Sequence, residues 1–280
     1  MKIAVLIENT SAAPELKCEH GLSFLIEYND KKYLLDAGSS SAFLDNAKTL
    51  GTSLDNMECC ILSHGHYDHS GGFYEYLNQN KNVQVYAMES VTGSYHSSKG
   101  GMHEIGIPKP ILDKHLDHFK FINGVCALDD GIYLIPHGAT GLDAIGKKAG
   151  LFKKCGEEYL PDDFAHELSL VFDTDKGLVI FNSCSHAGIM NIINEVTAAL
   201  PGKKIYAFLG GLHMEGKDGT RCFCTFNKAE IEEIADVLKN DVGLQRLYTG
   251  HCTGEDGFKL LQKYLGNKII KLTTGMRIEF

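Results

Sequence analysis

Four apolar, strand-like runs in this chain end on histidines, and this limits the folds open to it more than any other feature. Cys59-Cys60-Ile61-Leu62-Ser63 runs straight into His64-Gly65-His66-Tyr67-Asp68-His69. A later run closing at Phe181-Asn182-Ser183 leads to Cys184-Ser185-His186, Ile205 to Leu209 passes through two glycines to His213, and Arg246 to Thr249 reaches His251. Buried strands carry few polar groups along their length, whereas their ends open onto loops where chemistry collects.

The order of the remaining elements narrows the fold. Residues 2 to 8 read as a strand, and Ser23 to Tyr28 with Lys32 to Gly38 as a hairpin turning at Asn29-Asp30-Lys31. Phe43, Leu44, Ala47 and Leu50 share one helical face, and strands follow at 83 to 88, 119 to 122 and 132 to 136. The second half repeats the scheme: a hairpin turning at Asp175-Lys176-Gly177, a strand end with Cys184 and His186, and a helix from about Gly188 to Leu200. Further helices are expected from about 227 to 239 and 256 to 265. Two halves, each with hairpins before a helix, predict an α/β fold, a four-layer αββα sandwich, over a doubly wound parallel sheet. We expect a single domain over residues 1–280, with a loop excursion at about 90–120, and read His137 to Gly146 as a glycine-rich loop.

Composition restricts the partners. A net charge of −9 disfavours nucleic acid and anionic membranes, so a small-molecule substrate is expected. The first strand is interrupted by Glu8, and no apolar stretch approaches the roughly 18 residues that span a bilayer. Nine scattered cysteines fit a reducing cytoplasm better than a disulfide framework.

In an extended strand end, His64 and His66 share a face and converge on one metal ion, while Asp68 and His69 reach a second ion nearby. Gly65 leaves the intervening backbone unhindered. Ser63 to Gly72 resembles the HxHxDH signature of the metallo-β-lactamase superfamily, and Leu34-Leu35-Asp36-Ala37-Gly38 resembles its earlier aspartate motif. Glu19-His20-Gly21-Leu22-Ser23, Cys184 to Ile189, Gly210-Gly211-Leu212-His213 and Gly250 to Gly254 resemble the branch that includes dihydropterin ribofuranosyl-aminobenzene phosphate synthase and bacterial metal-dependent hydrolases.

The resemblance implies that His64 and His66 hold the first metal, that Asp68, His69 and His251 hold the second, and that Asp36 orients a ligand histidine. The superfamily's bridging aspartate is missing: its place falls near Cys184, so either Cys184 or His186 serves or the second metal is weakly held. His186 is preferred as a ligand, while Cys184 and His166 remain open, and His96, His103, His115, His118 and His137 default to surface positions. The cofactor expected is one or two divalent ions, zinc first, with manganese or iron as alternatives. The activity expected is hydrolysis by a metal-bound hydroxide of an ester, lactone, amide or phosphoester, with Asp68 orienting the nucleophile and His213 donating to the oxygen that gains charge. The alternative is a transferase that condenses a pyrophosphorylated pterin-like substrate with an aryl amine.

Overall fold

The computed structural model describes residues 1–11, 13–218 and 220–280. Two seven-stranded sheets form its centre. The first runs, in spatial order, Arg277–Glu279, Lys2–Ile7, Ser23–Tyr28, Lys31–Leu35, Cys59–Ile61, Val85–Met88 and Phe119–Ile122. The second runs Ile269–Lys271, Arg246–Thr249, Ile205–Leu209, Gly177–Phe181, Leu168–Thr174, Ile132–Pro136 and Cys126–Asp129. Each sheet is antiparallel through its hairpin and parallel beyond it, which rules out the doubly wound alternative.

Strict alternation along the strands builds the layers. Ile3 and Val5 of one sheet meet Val179 and Phe181 of the other in a core between the sheets. Their neighbours Ala4 and Leu6 face outward onto Phe43, Phe73 and Leu77 of the helices Ala42–Thr49 and Phe73–Gln79. Leu178 and Ile180 face the opposite way, onto Ile192, Ile231 and Leu261 of Ile189–Ala199, Lys228–Asp236 and Gly254–Leu265. Three cores separate four layers, the αββα sandwich expected.

Two irregular regions of the sequence are more ordered than expected. Residues 90–120, read as a loop excursion, contain the strands Ser94–Ser97 and His103–Glu104 and the helix Lys109–His115. Ser94–Ser97 pairs with Leu151–Cys155, a partner too distant in sequence for local patterning to reveal. The glycine-rich loop after His137 becomes the helix Leu142–Ala149, entered and left through left-handed Gly141 and Gly150. His96, His115, His118 and His137 are buried, and of the five histidines assigned to the surface only His103 is exposed. Among the described residues no helix is long and apolar enough to cross a membrane.

The fold brings the histidine-bearing strand ends together. Gly177–Phe181, Ile205–Leu209 and Arg246–Thr249 are parallel, so their C-terminal ends share one edge of the sheet. The end of Cys59–Ile61 is tied to that edge where Leu168 N–H donates to the Ser63 carbonyl at 2.9 Å.

Candidate metal centre

Asp36 organises the histidine loop. It is fully buried and left-handed (φ 58°), at the end of Lys31–Leu35. Its Oδ1 accepts the Ser63 N–H at 2.8 Å, and its Oδ2 accepts the Ser63 hydroxyl at 2.7 Å and His69 Nδ1–H at 2.7 Å. Because the single Ser63 hydroxyl proton is committed to Asp36, Ser63 Oγ must accept from His64 Nδ1–H, 2.8 Å away. His251 Nδ1–H donates to Asn9 Oδ1 at 2.9 Å, while the His251 N–H donates to the buried Glu8 Oε1 at 2.6 Å. Neutral His64 and His251 therefore each present a bare Nε2 to the interior, and His69, whose Nδ1–H is held by Asp36, does so once its Nε2 proton is displaced.

Those nitrogens face one another. His64 Nε2 lies 3.3 Å from His186 Nε2, and His69 Nε2 lies 3.2 Å from His251 Nε2. Two imidazole nitrogens about 2.0–2.1 Å from one tetrahedral zinc ion stand about 3.3–3.4 Å apart. Nε2 atoms at such spacing, together with the buried, unpartnered Nε2 of His66, are what a cation would satisfy. Donors of His64, His66 and His186 fall within 4.8 Å of one another, as do those of His20, Asp68 and His251, so the protein has groups that can hold a divalent metal ion.

Cys184 stands between these groups. Its Sγ is 3.2 Å from His69 Nε2 and within 4.8 Å of donors on His64 and His69, and again of those on His251 and Cys252. His166 does not turn inward in this way. Its Nδ1 accepts the Gly65 N–H at 3.0 Å and its Nε2–H donates to buried Asp162 Oδ2 at 3.0 Å, so both ring nitrogens are used. It braces the backbone between His64 and His66. The donors of His66, Asp162 and His166 also lie within 4.8 Å of one another, but those committed bonds leave His166 nothing to offer. His186 takes the place beside His64 and His66, held by its own N–H and that of Ala187 on the two oxygens of buried Glu167, each at 2.8 Å.

Asp68 Oδ2 is 3.5 Å from His69 Nε2, 3.4 Å from His251 Nε2 and 3.3 Å from His20 Nε2. His20 is thus closer to the chemistry than its sequence suggested; the Glu19-His20-Gly21 motif was the available signal. Nothing in the sequence marked Asn9 or Glu8. His213, left-handed at φ 47°, packs its ring 4.4 Å from that of His186, and both of its ring nitrogens are buried without a partner.

Burial, reinforced by neighbouring histidines, depresses the basicity of His64 and His186 far below the usual imidazole range. Burial likewise pushes His66 and His213 down to about 3. His69 moves the other way: burial opposes its charge, but the Asp68 and Asp36 carboxylates push it up to about 10. Asp68, against the effect of burial, is held well below the usual carboxylate range by His69 and His251.

A family model described as the metallo-beta-lactamase superfamily matches residues 16–141. A solved metal-dependent hydrolase of the β-lactamase superfamily superposes with a TM-score of 0.81 at 28% identity, covering 100% of this chain and 99% of its own. This is a metallo-β-lactamase-superfamily fold. The metallo-β-lactamase fold protein YhfI from Bacillus subtilis, at 13% identity and a TM-score of 0.55 over 99% of each chain, shares that fold. The 7,8-dihydropterin-6-methyl-4-(β-D-ribofuranosyl)-aminobenzene-5'-phosphate synthase of Methanocaldococcus jannaschii is 27% identical over 282 residues, covering 94% of this chain and 90% of the relative. The superfamily resemblance read from the motifs, including its branch, holds.

Within this superfamily fold the centre opens into a cavity of about 340 Å³ bordered by His20, Asp68, Cys184, His213 and His251. Lys99 and Lys217 also border it. Of the other basic residues nearby, Lys148 lines an adjoining chamber but is tied to Glu230 at 3.1 Å. Lys153 lines a different cavity and is paired with Asp163.

Proposed function

We propose that this protein is a metal-dependent hydrolase with two divalent ions, zinc first, one held by His64, His66 and His186 and the other by Asp68, His69 and His251, with Cys184 as the thiolate between them. The observation that carries this reading is the set of imidazoles whose Nδ1–H groups are committed to Asp36, Ser63 and Asn9, which leaves Nε2 as the atom free to ligate, with the Nε2 pairs His69–His251 and His64–His186 standing 3.2 and 3.3 Å apart. Bound there, divalent ions supply a nucleophile from water at neutral pH and polarise a carbonyl or phosphoryl oxygen.

The chain's own groups do the rest. Asp68 stays ionised and orients the attacking water through an oxygen it already shares with His20, His69 and His251. His213 remains neutral at pH 7 and lines the cavity, so its single N–H donates to the substrate oxygen that gains charge without the ring itself carrying charge. The substrate is a small ester, lactone, amide or phosphoester. Among the described residues only Lys99 and Lys217 contribute lysine or arginine charge to the cavity lining, beside Glu215, a sparse setting for a diphosphate.

Similarity to the synthase over nearly the whole chain favours a second reading, transfer of a pterin-like group from its diphosphate to an aryl amine. The two part on one assay set. The zinc-loaded protein is expected to turn over members of a panel of carboxylic esters, lactones and phosphodiesters, and silence on the whole panel combined with transfer to an aryl amine would reverse the assignment. The ligand set is read separately. Cobalt-loaded protein should show near-ultraviolet thiolate-to-cobalt charge transfer that Cys184→Ser abolishes and Cys252→Ser leaves in place. His66→Ala should lower the metal content by about one equivalent.

A further inference from the structure

A second chamber, about 450 Å³, lies beside the metal-centre cavity, and the two share Lys99, His186, His213 and Glu215 as common wall. Beyond that wall the lining is Ile145, Ile189, Met190, Leu212, Phe226 and Ile234, contributed by three helices, the segment that follows Leu209 and the turn that leads into Lys228–Asp236. The polar side chains deeper in the chamber are already committed. Ser185 Oγ donates to the Gly211 carbonyl at 2.7 Å, Asn191 Nδ2 to the Ala187 carbonyl at 2.8 Å, and Thr225 Oγ1 to the Met214 carbonyl at 3.1 Å. Lys148 is paired with Glu230 at 3.1 Å. The chamber therefore rewards apolar surface and reads few polar substituents, while Lys99, His213 and Glu215 concentrate polarity at its junction with the metal centre.

We infer that the substrate is bipartite: its scissile carbonyl or phosphoryl group sits at the metal centre, and an uncharged acyl or aryl arm occupies this chamber. The inference rests on the hydrolase reading of the adjoining centre. Adjacency argues for the occupant: Lys99, His186, His213 and Glu215 line both cavities, so an arm attached to what reacts at His213 and Asp68 has this chamber beside it. The chamber walls thereby determine substrate preference, while His64, His66 and His186 stay unaltered.

The test uses the zinc-loaded full chain and p-nitrophenyl esters from acetate to octanoate. kcat/KM is expected to rise about three- to fourfold for each added methylene until the chamber is full. Ile145→Trp and Ile234→Trp, at partly exposed wall positions, should flatten the series and leave zinc content unchanged. Binding is read independently with 8-anilinonaphthalene-1-sulfonate, whose fluorescence should titrate at one equivalent on the parent protein and be lost in both variants. Dye binding that responds to the variants without any ester turnover keeps the chamber assignment and removes the hydrolase reading. Ester turnover with a flat series, and dye fluorescence indifferent to both variants, overturns the chamber assignment and keeps the hydrolase. Neither turnover nor dye binding overturns both.

Discussion

Asp36 orients two imidazoles with one carboxylate, His69 directly and His64 through the Ser63 hydroxyl. Carboxylates that fix the tautomer of a ligand histidine are worth 10–100-fold in metal affinity. Asp36→Asn keeps the shape but weakens both acceptor contacts, so zinc affinity measured by chelator competition should fall by about that factor, with a near-native circular dichroism spectrum. Unchanged affinity would show that Ser63 and the loop hold the rings alone. The same scale shows what sequence could reveal. His64, His66, Asp68 and His69 announce themselves by spacing, and Asp36 by its motif. The branch motif already favoured His186 and left His166 open; what sequence could not show is that Gly65 and Asp162 take both ring nitrogens of His166.

At the level of elements, the site depends on strands stopping where they do. Gly210 follows Ile205–Leu209 at φ 140°, and a Cβ there would lie 1.8 Å from the Asn182 carbonyl oxygen, just before Cys184. Gly124 has nothing within 4 Å of such a Cβ. Gly210→Ala should therefore cost roughly 2–3 kcal/mol or more, a fall of about 5–10 °C in melting temperature, while Gly124→Ala should stay within about 2 °C of the parent. Equal melting temperatures for the pair would refute the close approach of the two strand ends. A largely apolar run such as Leu168–Thr174, whose first five residues are all buried, and a period-3.6 pattern such as Ile189–Ala199 were readable from sequence. The helix Leu142–Ala149 was not: its apolar positions are diluted by Gly146, which is needed because a Cβ there would meet the Asp162 carbonyl at 2.1 Å.

Across the whole molecule, the buried histidines set how stability varies with pH in the metal-stripped protein. His66 and His213 titrate near 3 when folded but near 6.5 when unfolded. Between those values the unfolded chain binds more protons, so their contribution is present above pH 6.5 and is lost as pH falls toward 3. His69, raised to about 10 by Asp68 and Asp36 against the effect of burial, has the opposite sign: its contribution is full below 6.5 and is lost as pH rises to 10. Urea unfolding of stripped protein should thus show a maximum near neutrality, with stability falling on both sides. Saturating zinc should stabilise the fold and flatten the alkaline decline, since metal replaces the His69 proton. A stripped protein whose stability keeps rising from pH 7 to 9 would contradict the paired carboxylates at His69.

The sequence by itself determined the residue types at the strand ends and, through alternation of apolar positions, the layers that bury the strands. These are local properties, set by side-chain period and by the chemistry of neighbours a few positions apart. Only the tertiary structure decided how the donors are shared: Cys184 between two groups of histidines, His186 rather than His166 beside His64 and His66, and His251 steered by Glu8 and Asn9 from the far end of the chain. A metal donor is defined by the direction of one lone pair to within a few tenths of an ångström. That direction is fixed by hydrogen bonds between residues that only the packing of two sheets brings together.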